Sequence, residues 1–292
     1  MNSFPNLRPG YVGRLFQLLL FSLFGLVVAG LLMGVLTHSG VTTKSLRIAT
    51  VVQDILVFIL PAILTAAMVT NRPDRLLETE RRPDMRLLLY AVAVMIVSMP
   101  VMNAIVMWNE SLTLPDSLHD VESWMRMTEE NARRSVETLL GGSTVGDLVV
   151  SIFLIGILAG LSEEIYFRGT MQRLLASEKL NAHSAIWITA IIFSIFHFQF
   201  FGFFPRLILG AFFGYLLYWS GSLWLPVAVH ALNNTIVVVT SWYTKINPDS
   251  SIAGVDRIGT DSLSLMSFSI VLSAVFLYAL SRRSSRLKNK SK

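Results

Sequence analysis

The sequence predicts an all-α fold, namely a polytopic membrane helix bundle with about eight transmembrane helices and an amphipathic interfacial helix. Two observations carry this prediction. Of the 292 residues, 53% are hydrophobic and only 15% are charged, whereas a soluble domain has about 25% charged residues. Apolar stretches of about 20 residues, the length that crosses a bilayer, also recur along the chain. We expect one integral membrane domain over residues 1–292.

Hydropathy locates the spans one by one. In chain order they are Leu15–Leu36, Ile48–Val69, Leu87–Trp108, Val145–Phe167, Ala185–Phe201, Leu207–Trp219, Leu223–Trp242 and Leu263–Leu280. The first span is longer than the apolar core of a signal peptide and lacks an Ala-x-Ala-like exit, so we interpret it as retained. The sixth is short, and only the turn 220–222 separates it from the seventh. A seven-span arrangement therefore stays open.

The segment 109–146 between the third and fourth spans is polar and long. Apolar residues recur at helical spacing from Val121 to Leu140 with charged residues between them, a pattern typical of an amphipathic helix in the membrane interface. Ser117 and Asp120 resemble a capping box at its start, and Gly141 resembles a stop. A solvated connector is the alternative interpretation.

Basic residues indicate the orientation, because cytoplasmic loops carry an excess of arginine and lysine. The loop 71–86 is rich in arginine, and the tail 282–292 is basic. Both lie on one side only if an even number of spans separates them, which eight spans satisfy. We therefore predict a protein of the cell (inner) membrane with both termini in the cytoplasm. The net charge of +5 then reflects the inner membrane face, and we expect no nucleic-acid partner.

Three polar patches interrupt the apolar stretches. They are Glu163-Glu164-x-x-x-Arg168, Phe193-x-x-x-His197 and His230-x-x-x-Asn234. Ionisable groups inside a membrane cost roughly 2.5 to 3.5 kcal/mol each, so they persist where they pair or do chemistry. Glu164 and Arg168 stand four residues apart and can pair along one helix face. That pairing leaves Glu163 as the free carboxylate.

Depth in the bilayer decides whether the patches meet. If the fourth helix ended near the inner surface at Phe167, Glu163 would lie far below His197, which is roughly 21 Å above that surface. If the helix continued to Leu175, Glu163 would rise to roughly 18 Å, level with His197. The continuation would bury Arg168, which requires Glu164 as its partner.

Each patch also has a structural interpretation: acids that meet water at a helix end, a hydrogen-bonded core histidine, or polar packing between helices. Together, however, the patches supply a carboxylate, two imidazoles and an amide donor. Hydrolysis of an amide needs a base for water and donors for the oxyanion. The combination favours an enzyme.

The order and spacing of the three motifs resemble the CPBP family of intramembrane metalloproteases. This family comprises the type II CAAX prenyl endopeptidases and the bacterial Abi, or bacteriocin self-immunity, proteins. The resemblance covers about Ser162 to Asn234, within a protease-like motif core at about 144–243. It implies a membrane-associated protein or peptide as the substrate, but not that the substrate is prenylated.

The resemblance also implies residue roles. The catalytic residues would be Glu163 and His197, which activate water, and His230 and Asn234, which stabilise the oxyanion, with Glu164 and Arg168 as a supporting ion pair. Zn²⁺ or another divalent metal is the implied cofactor, with Glu163, His197 and His230 as candidate ligands. The sequence has no His-Glu-x-x-His, so a metal and a glutamate-activated water both stay open.

The predicted function is therefore that of an intramembrane endopeptidase. A non-catalytic membrane immunity or partner-binding protein is the main alternative, and a proton-coupled transporter is the other. Convergence of the polar groups on one site favours the enzyme, whereas a polar track across the bilayer favours transport.

Overall fold

The computed structural model describes residues 10–38, 40–176, 180–250 and 257–290. Every regular element in these ranges is a helix, which confirms the predicted all-α class. The α-helices are α1 (Tyr11–Leu36), α2 (Thr43–Val69), α3 (Pro73–Leu76), α4 (Met85–Glu110), α5 (His119–Leu140), α6 (Val145–Leu175), α7 (Ala182–Ile195), α8 (Phe203–Ser220), α9 (Trp224–Ile246) and α10 (Leu263–Lys290). Short 3₁₀ turns precede α5 and α8.

Among the described residues, seven helices are long and apolar enough to cross a membrane: α1, α2, α4, α6, α8, α9 and α10. The chain is therefore an integral membrane protein. The one remaining span of the eight predicted corresponds to the shorter apolar helix α7, whose 14 residues extend only about 21 Å. The predicted span that is too short to cross the membrane is therefore the fifth, Ala185–Phe201, and not the sixth. The sixth, predicted as Leu207–Trp219, belongs to a 21-residue helical segment, Phe200–Ser220.

Helices α7 and α8 form an antiparallel hairpin. The two helices pack closely, since a Cβ atom at Gly210 would lie 3.3 Å from the Cβ of Ala190. Near the start of α7, His183 Nδ1 lies 3.0 Å from the Tyr215 hydroxyl of α8. Since α8 returns to the end of the bundle where α7 begins, the hairpin preserves the predicted order of eight apolar helices despite the short α7.

The arginine-rich loop between α2 and α4 defines one end of the bundle, called the basic end below. It contacts the turn between α8 and α9, where Leu223 N donates to Glu78 O at 2.9 Å. The last helix also reaches this end, because Arg283 of α10 pairs with Asp84 at 2.7 Å. The contact places the carboxyl end of α10 and this loop together, as the even span count requires.

The opposite end of the bundle carries α5. Arg47 at the start of α2 pairs with Asp147 at 3.1 Å and donates to Leu139 O of α5. Helix α5 begins after Leu118 without a side-chain cap, so the predicted capping box at Ser117 and Asp120 is wrong. Its predicted end at Gly141 is correct, and this glycine has a φ of 76°.

Helix α6 determines the depth of the polar patches. It continues to Leu175 rather than ending at Phe167, which is the arrangement that brings Glu163 level with His197. Two π-helical stretches, Ile152–Leu158 and Ile165–Gln172, flank the α-helical turns that carry the two glutamates. Such π-bulges occur frequently at functional sites.

Small residues bring α6 and α9 into close contact. A Cβ atom at Gly160 would lie 3.3 Å from the Ala231 Cα, and one at Gly156 would lie 2.5 Å from the Thr235 hydroxyl oxygen. Closely packed small residues are a common way for membrane helices to associate. Here they place His230, which precedes Ala231, beside the glutamates of α6.

Candidate active site

The carboxylate of Glu164 lies at the buried centre of the candidate site. Its Oε1 accepts a hydrogen bond from Arg168 Nη1 at 2.9 Å and another from His230 Nδ1 at 2.8 Å. Glu164 and Arg168 are fully buried. The pairing that their spacing predicts is therefore present, whereas the contact with His230 depends on how α9 packs and was not predicted.

Arg168 joins three helices of the bundle. Its Nη2 donates to Gly210 O of α8 at 2.9 Å. The guanidinium carbon lies 4.5 Å from the ring centroid of Phe193 in α7 and 5.4 Å from that of Phe213 in α8. Such cation–π contacts are strongest when the cation is desolvated. His230 stacks on the same Phe213 ring at 4.6 Å, so aromatic rings enclose the pair.

Glu163 differs from its neighbour. Its Oε2 is buried and has no hydrogen-bond partner among the described residues. His230 Nε2 lies 3.8 Å from this oxygen, which is beyond hydrogen-bond distance. The two adjacent glutamates therefore have unequal surroundings, as predicted. Glu164 accepts hydrogen bonds from Arg168 and His230, whereas Glu163 retains an oxygen that can accept a proton.

His197 lies in the turn after α7 and not within a helix, which corrects the predicted span. Its Nδ1 is 2.8 Å from Phe193 O. A carbonyl oxygen only accepts hydrogen bonds, so Nδ1 carries the hydrogen and Nε2 is left as an acceptor in the neutral ring. His197 lies close enough to Glu163 and His230 to interact electrostatically with both.

Asn234 follows His230 by one turn of α9. Its Nδ2 donates to Ile155 O at 3.1 Å, and its Oδ1 accepts from Asn233 Nδ2 at 3.3 Å. Ile155 lies in the first π-helical stretch of α6. These bonds fix the orientation of the amide, and its second N–H remains for another acceptor. The described contacts of Asn234 do not include Glu163 or His197, so its catalytic role stays a prediction.

The arrangement of the candidate metal ligands decides whether they suit a metal ion. In the described part of the chain, no group of three or more His, Cys, Asp or Glu side chains could hold a metal ion. The Nδ1 atoms of His197 and His230 bond to Phe193 O and Glu164, which leaves the Nε2 atom of each ring for another partner. As they are placed, Glu163, His197 and His230 do not form a three-ligand set. The metal inferred from the family resemblance stays a prediction.

A further acidic residue, which was not among the predicted site residues, lies beside the site. Asp54 of α2 is buried, and its Oδ1 accepts a hydrogen bond from Ser162 Oγ at 3.0 Å. Ser162 directly precedes Glu163, and Asp54 and Glu163 interact electrostatically. The sequence does carry a signal, because Asp54 is the only acidic residue in the apolar span Thr43–Val69, and such residues mark functional sites by default.

A comparison with known proteins bears on this site. The family model described as type II CAAX prenyl endopeptidase Rce1-like matches residues 145–236. The matched segment extends from the start of α6 into α9 and contains all three motifs. No curated protein and no solved structure matches the chain. The match confirms the family resemblance inferred from the motifs.

Proposed function

We propose that the chain is an intramembrane endopeptidase of the Rce1-like CAAX protease family, whose model matches residues 145–236, and that it hydrolyses a peptide bond in a membrane-associated protein or peptide. One observation carries the catalytic proposal. Glu163 has a buried, partnerless oxygen 3.8 Å from His230, whereas the adjacent Glu164 is bonded to Arg168 and His230. A carboxylate in this state is suited to accept a proton.

Water activation is assigned to Glu163 and His197. A water molecule between them donates one hydrogen to Glu163 Oε2 and the other to the free Nε2 of His197. Glu163 takes the proton as the water oxygen adds to the scissile carbonyl carbon. His197 orients the water, because its Nδ1–H is held by Phe193 O and its ring therefore presents Nε2.

Oxyanion stabilisation is assigned to His230 and Asn234. The second N–H of the Asn234 amide donates to the developing negative charge, and so does His230 Nε2–H. Since His230 Nδ1 donates to Glu164, the ring must carry hydrogens on both nitrogens to play this role.

Collapse of the tetrahedral intermediate completes the reaction. The proton held by Glu163 moves to the leaving nitrogen as the C–N bond breaks, which releases an amine and a carboxylic acid. Glu163 returns to its ionised state. Every step uses a group of the protein itself.

We also propose that the basic end of the bundle faces the cytoplasm in the cell (inner) membrane, with both termini on that side. The arginine-rich loop and Arg283 of α10 lie together at this end, and such residues collect at the cytoplasmic face. The opposite end, with α5, then faces outward.

Isotope labelling tests the proposed reaction on a mixture of native membrane proteins, so that no single substrate has to be chosen in advance. Purified wild-type protein and the Glu163→Gln variant are each incubated with membranes from the producing cells in H₂¹⁸O. We expect ¹⁸O-labelled carboxyl termini at defined protein positions with the wild type only. Equal labelling with both proteins, or none with either, would contradict the enzyme and favour the non-catalytic interpretation.

A further inference from the structure

The turn between α7 and α8, residues 196–202, holds His197 outside any regular α-helix. Phe198, the next residue, has a φ of 51°, in the left-handed region that bulky residues rarely adopt. Backbone bonds from Phe196 N, His197 N and Phe198 N tie the start of the turn to α7. After the left-handed Phe198 the chain leaves the direction of α7, and contacts from other helices help to hold the segment that begins at Gln199.

Arg206 of α8 makes the most direct of these contacts. Its Nη1 donates to Gln199 O at 2.8 Å, and its Nη2 donates to Gln199 Oε1 at 2.7 Å. A two-pronged guanidinium contact fixes direction as well as distance. The guanidinium lies against Gly202, where a Cβ atom would be 2.6 Å from Nη2. Arg206 therefore occupies the inside of the turn.

Two other helices support the far side of the turn. Asn109 of α4 donates to Phe200 O at 3.2 Å. Glu129 of α5 accepts from Phe201 N at 3.3 Å and also interacts electrostatically with Arg206. Arg206 is thus the member of this network that contacts the turn on the side of His197. It is also close enough to interact electrostatically with His197 and Glu163.

We propose that Arg206 is a positioning residue for catalysis: its two hydrogen bonds to Gln199 hold the turn so that His197 Nε2 faces the water activated by Glu163. This inference rests on the proposed function, and in particular on the role of His197. The expected effect is large, because a misplacement of about 1 Å at a reacting group costs about 100-fold in rate.

Steady-state kinetics on an internally quenched peptide test the proposal. The peptide spans the bond identified by ¹⁸O labelling, and the enzyme is assayed in liposomes. Arg206→Ala should lower kcat by about 10- to 100-fold with little change in KM. Gln199→Ala removes only the side-chain acceptor and should have a smaller effect. The matched control is Arg133→Ala, which removes an exposed arginine of α5 that pairs with Glu130 and Glu137, and should leave kcat unchanged.

Arg206→Lys separates position from charge. Lysine keeps the positive charge near Glu163 but cannot reproduce the two-pronged bond, so the variant should resemble Arg206→Ala. Wild-type kcat in Arg206→Lys would mean that only the charge matters and would overturn the proposal. In a His197→Ala background, Arg206→Ala should add less than about a twofold loss, since coupled residues are not additive.

Hydrogen exchange of the peptide covering residues 196–202 gives a readout independent of activity. Exchange should rise in Arg206→Ala and in Gln199→Ala, but not in Arg133→Ala. If Arg206→Ala folds poorly, Gln199→Ala supplies the readout. Unchanged exchange and kcat in both turn variants would refute the positioning role. If His197→Ala itself kept full activity, the proposed mechanism would fail; if only His197→Ala were impaired, this inference alone would fail.

Discussion

The two halves of the candidate site are held in different ways. Glu163, Glu164 and His230 lie on α6 and α9, which pack closely at Gly156 and Gly160. The bond from His230 to Glu164 joins the two helices, and Glu164 also forms a fully buried ion pair with Arg168. His197 lies in an irregular turn that side chains of neighbouring helices support. The first half depends on backbone packing and buried charge, whereas the second depends on a few directional hydrogen bonds. Damage to the first half should therefore appear as lost stability or lost chemistry, and damage to the second as lost rate in a folded protein.

The sharpest test within the α6–α9 half compares two adjacent glutamates. Glu163→Gln should lower kcat by about 100- to 10,000-fold, because an amide cannot accept the proton from water. Its melting temperature should stay near that of the wild type, since the replaced Oε2 has no hydrogen-bond partner among the described residues. Kinetics on the quenched peptide and thermal unfolding in detergent measure both. Near-wild-type turnover would remove the mechanism.

Glu164→Gln is the matched control, because it makes the same chemical change one residue away. It leaves Arg168 without its carboxylate, so it should lower the melting temperature. If both variants lost stability equally, the division between a working and a structural glutamate would be wrong.

Arg168→Ala should destabilise the protein by about 3 to 5 kcal/mol, because it leaves the buried charge of Glu164 uncompensated. Chemical or thermal unfolding in detergent measures the loss. Arg133→Ala is the control, since its ion pairs on α5 are exposed and such pairs contribute about 0 to 1 kcal/mol. Equal melting temperatures for Arg168→Ala and wild type would show that the buried pair does not support the α6–α9 half.

Asn234→Ala should lower kcat by about 100- to 1000-fold, the usual cost of losing one oxyanion donor. The control is Asn233→Ala, whose side chain donates to Asn234 Oδ1. That variant should lose much less activity, because the Asn234 amide keeps its bond to Ile155 O. Equal losses in the two variants would indicate that this pair serves packing instead of catalysis.

Reporter fusions determine which side of the membrane the turn that carries His197 faces. Helix α5 contacts this turn, with the Trp124 and Phe200 ring centroids 5.3 Å apart. Fusions after Arg86 and within residues 111–141 should report opposite sides of the membrane, with the first in the cytoplasm. The same side for both would exclude the eight-helix topology.

Much of the fold could be predicted because hydropathy windows and helix propensity are local properties. The starts of α6 and α10 at Val145 and Leu263 agree with the predicted spans. The pairing of Glu164 with Arg168 was predictable for the same reason, since i,i+4 neighbours meet within one helix. Local signals also predicted the end of α5 at Gly141.

The remaining features depend on contacts between distant segments. The bond from His230 to Glu164 can form because Gly156 and Gly160, which have no side chain, let α9 pack closely against α6. The sequence alone does not show which helices are neighbours. The left-handed Phe198 carries no local signal, so His197 was placed inside a helix that ends at Ile195. These are the points at which tertiary structure overrides local preference.

The length of α7 bears on how water reaches a reaction inside a bilayer. A hydrocarbon core is about 30 Å thick, and α7 covers only about 21 Å of it. The gap above the turn is bordered by a cavity of about 310 Å³ whose lining includes Arg126, Glu129 and Phe201. Lipid tails do not solvate such charged groups, so we expect water to reach the side of the turn that α5 contacts. For the hydrolase proposed above, water at this turn would lie beside His197, and the reaction would then require no channel across the membrane.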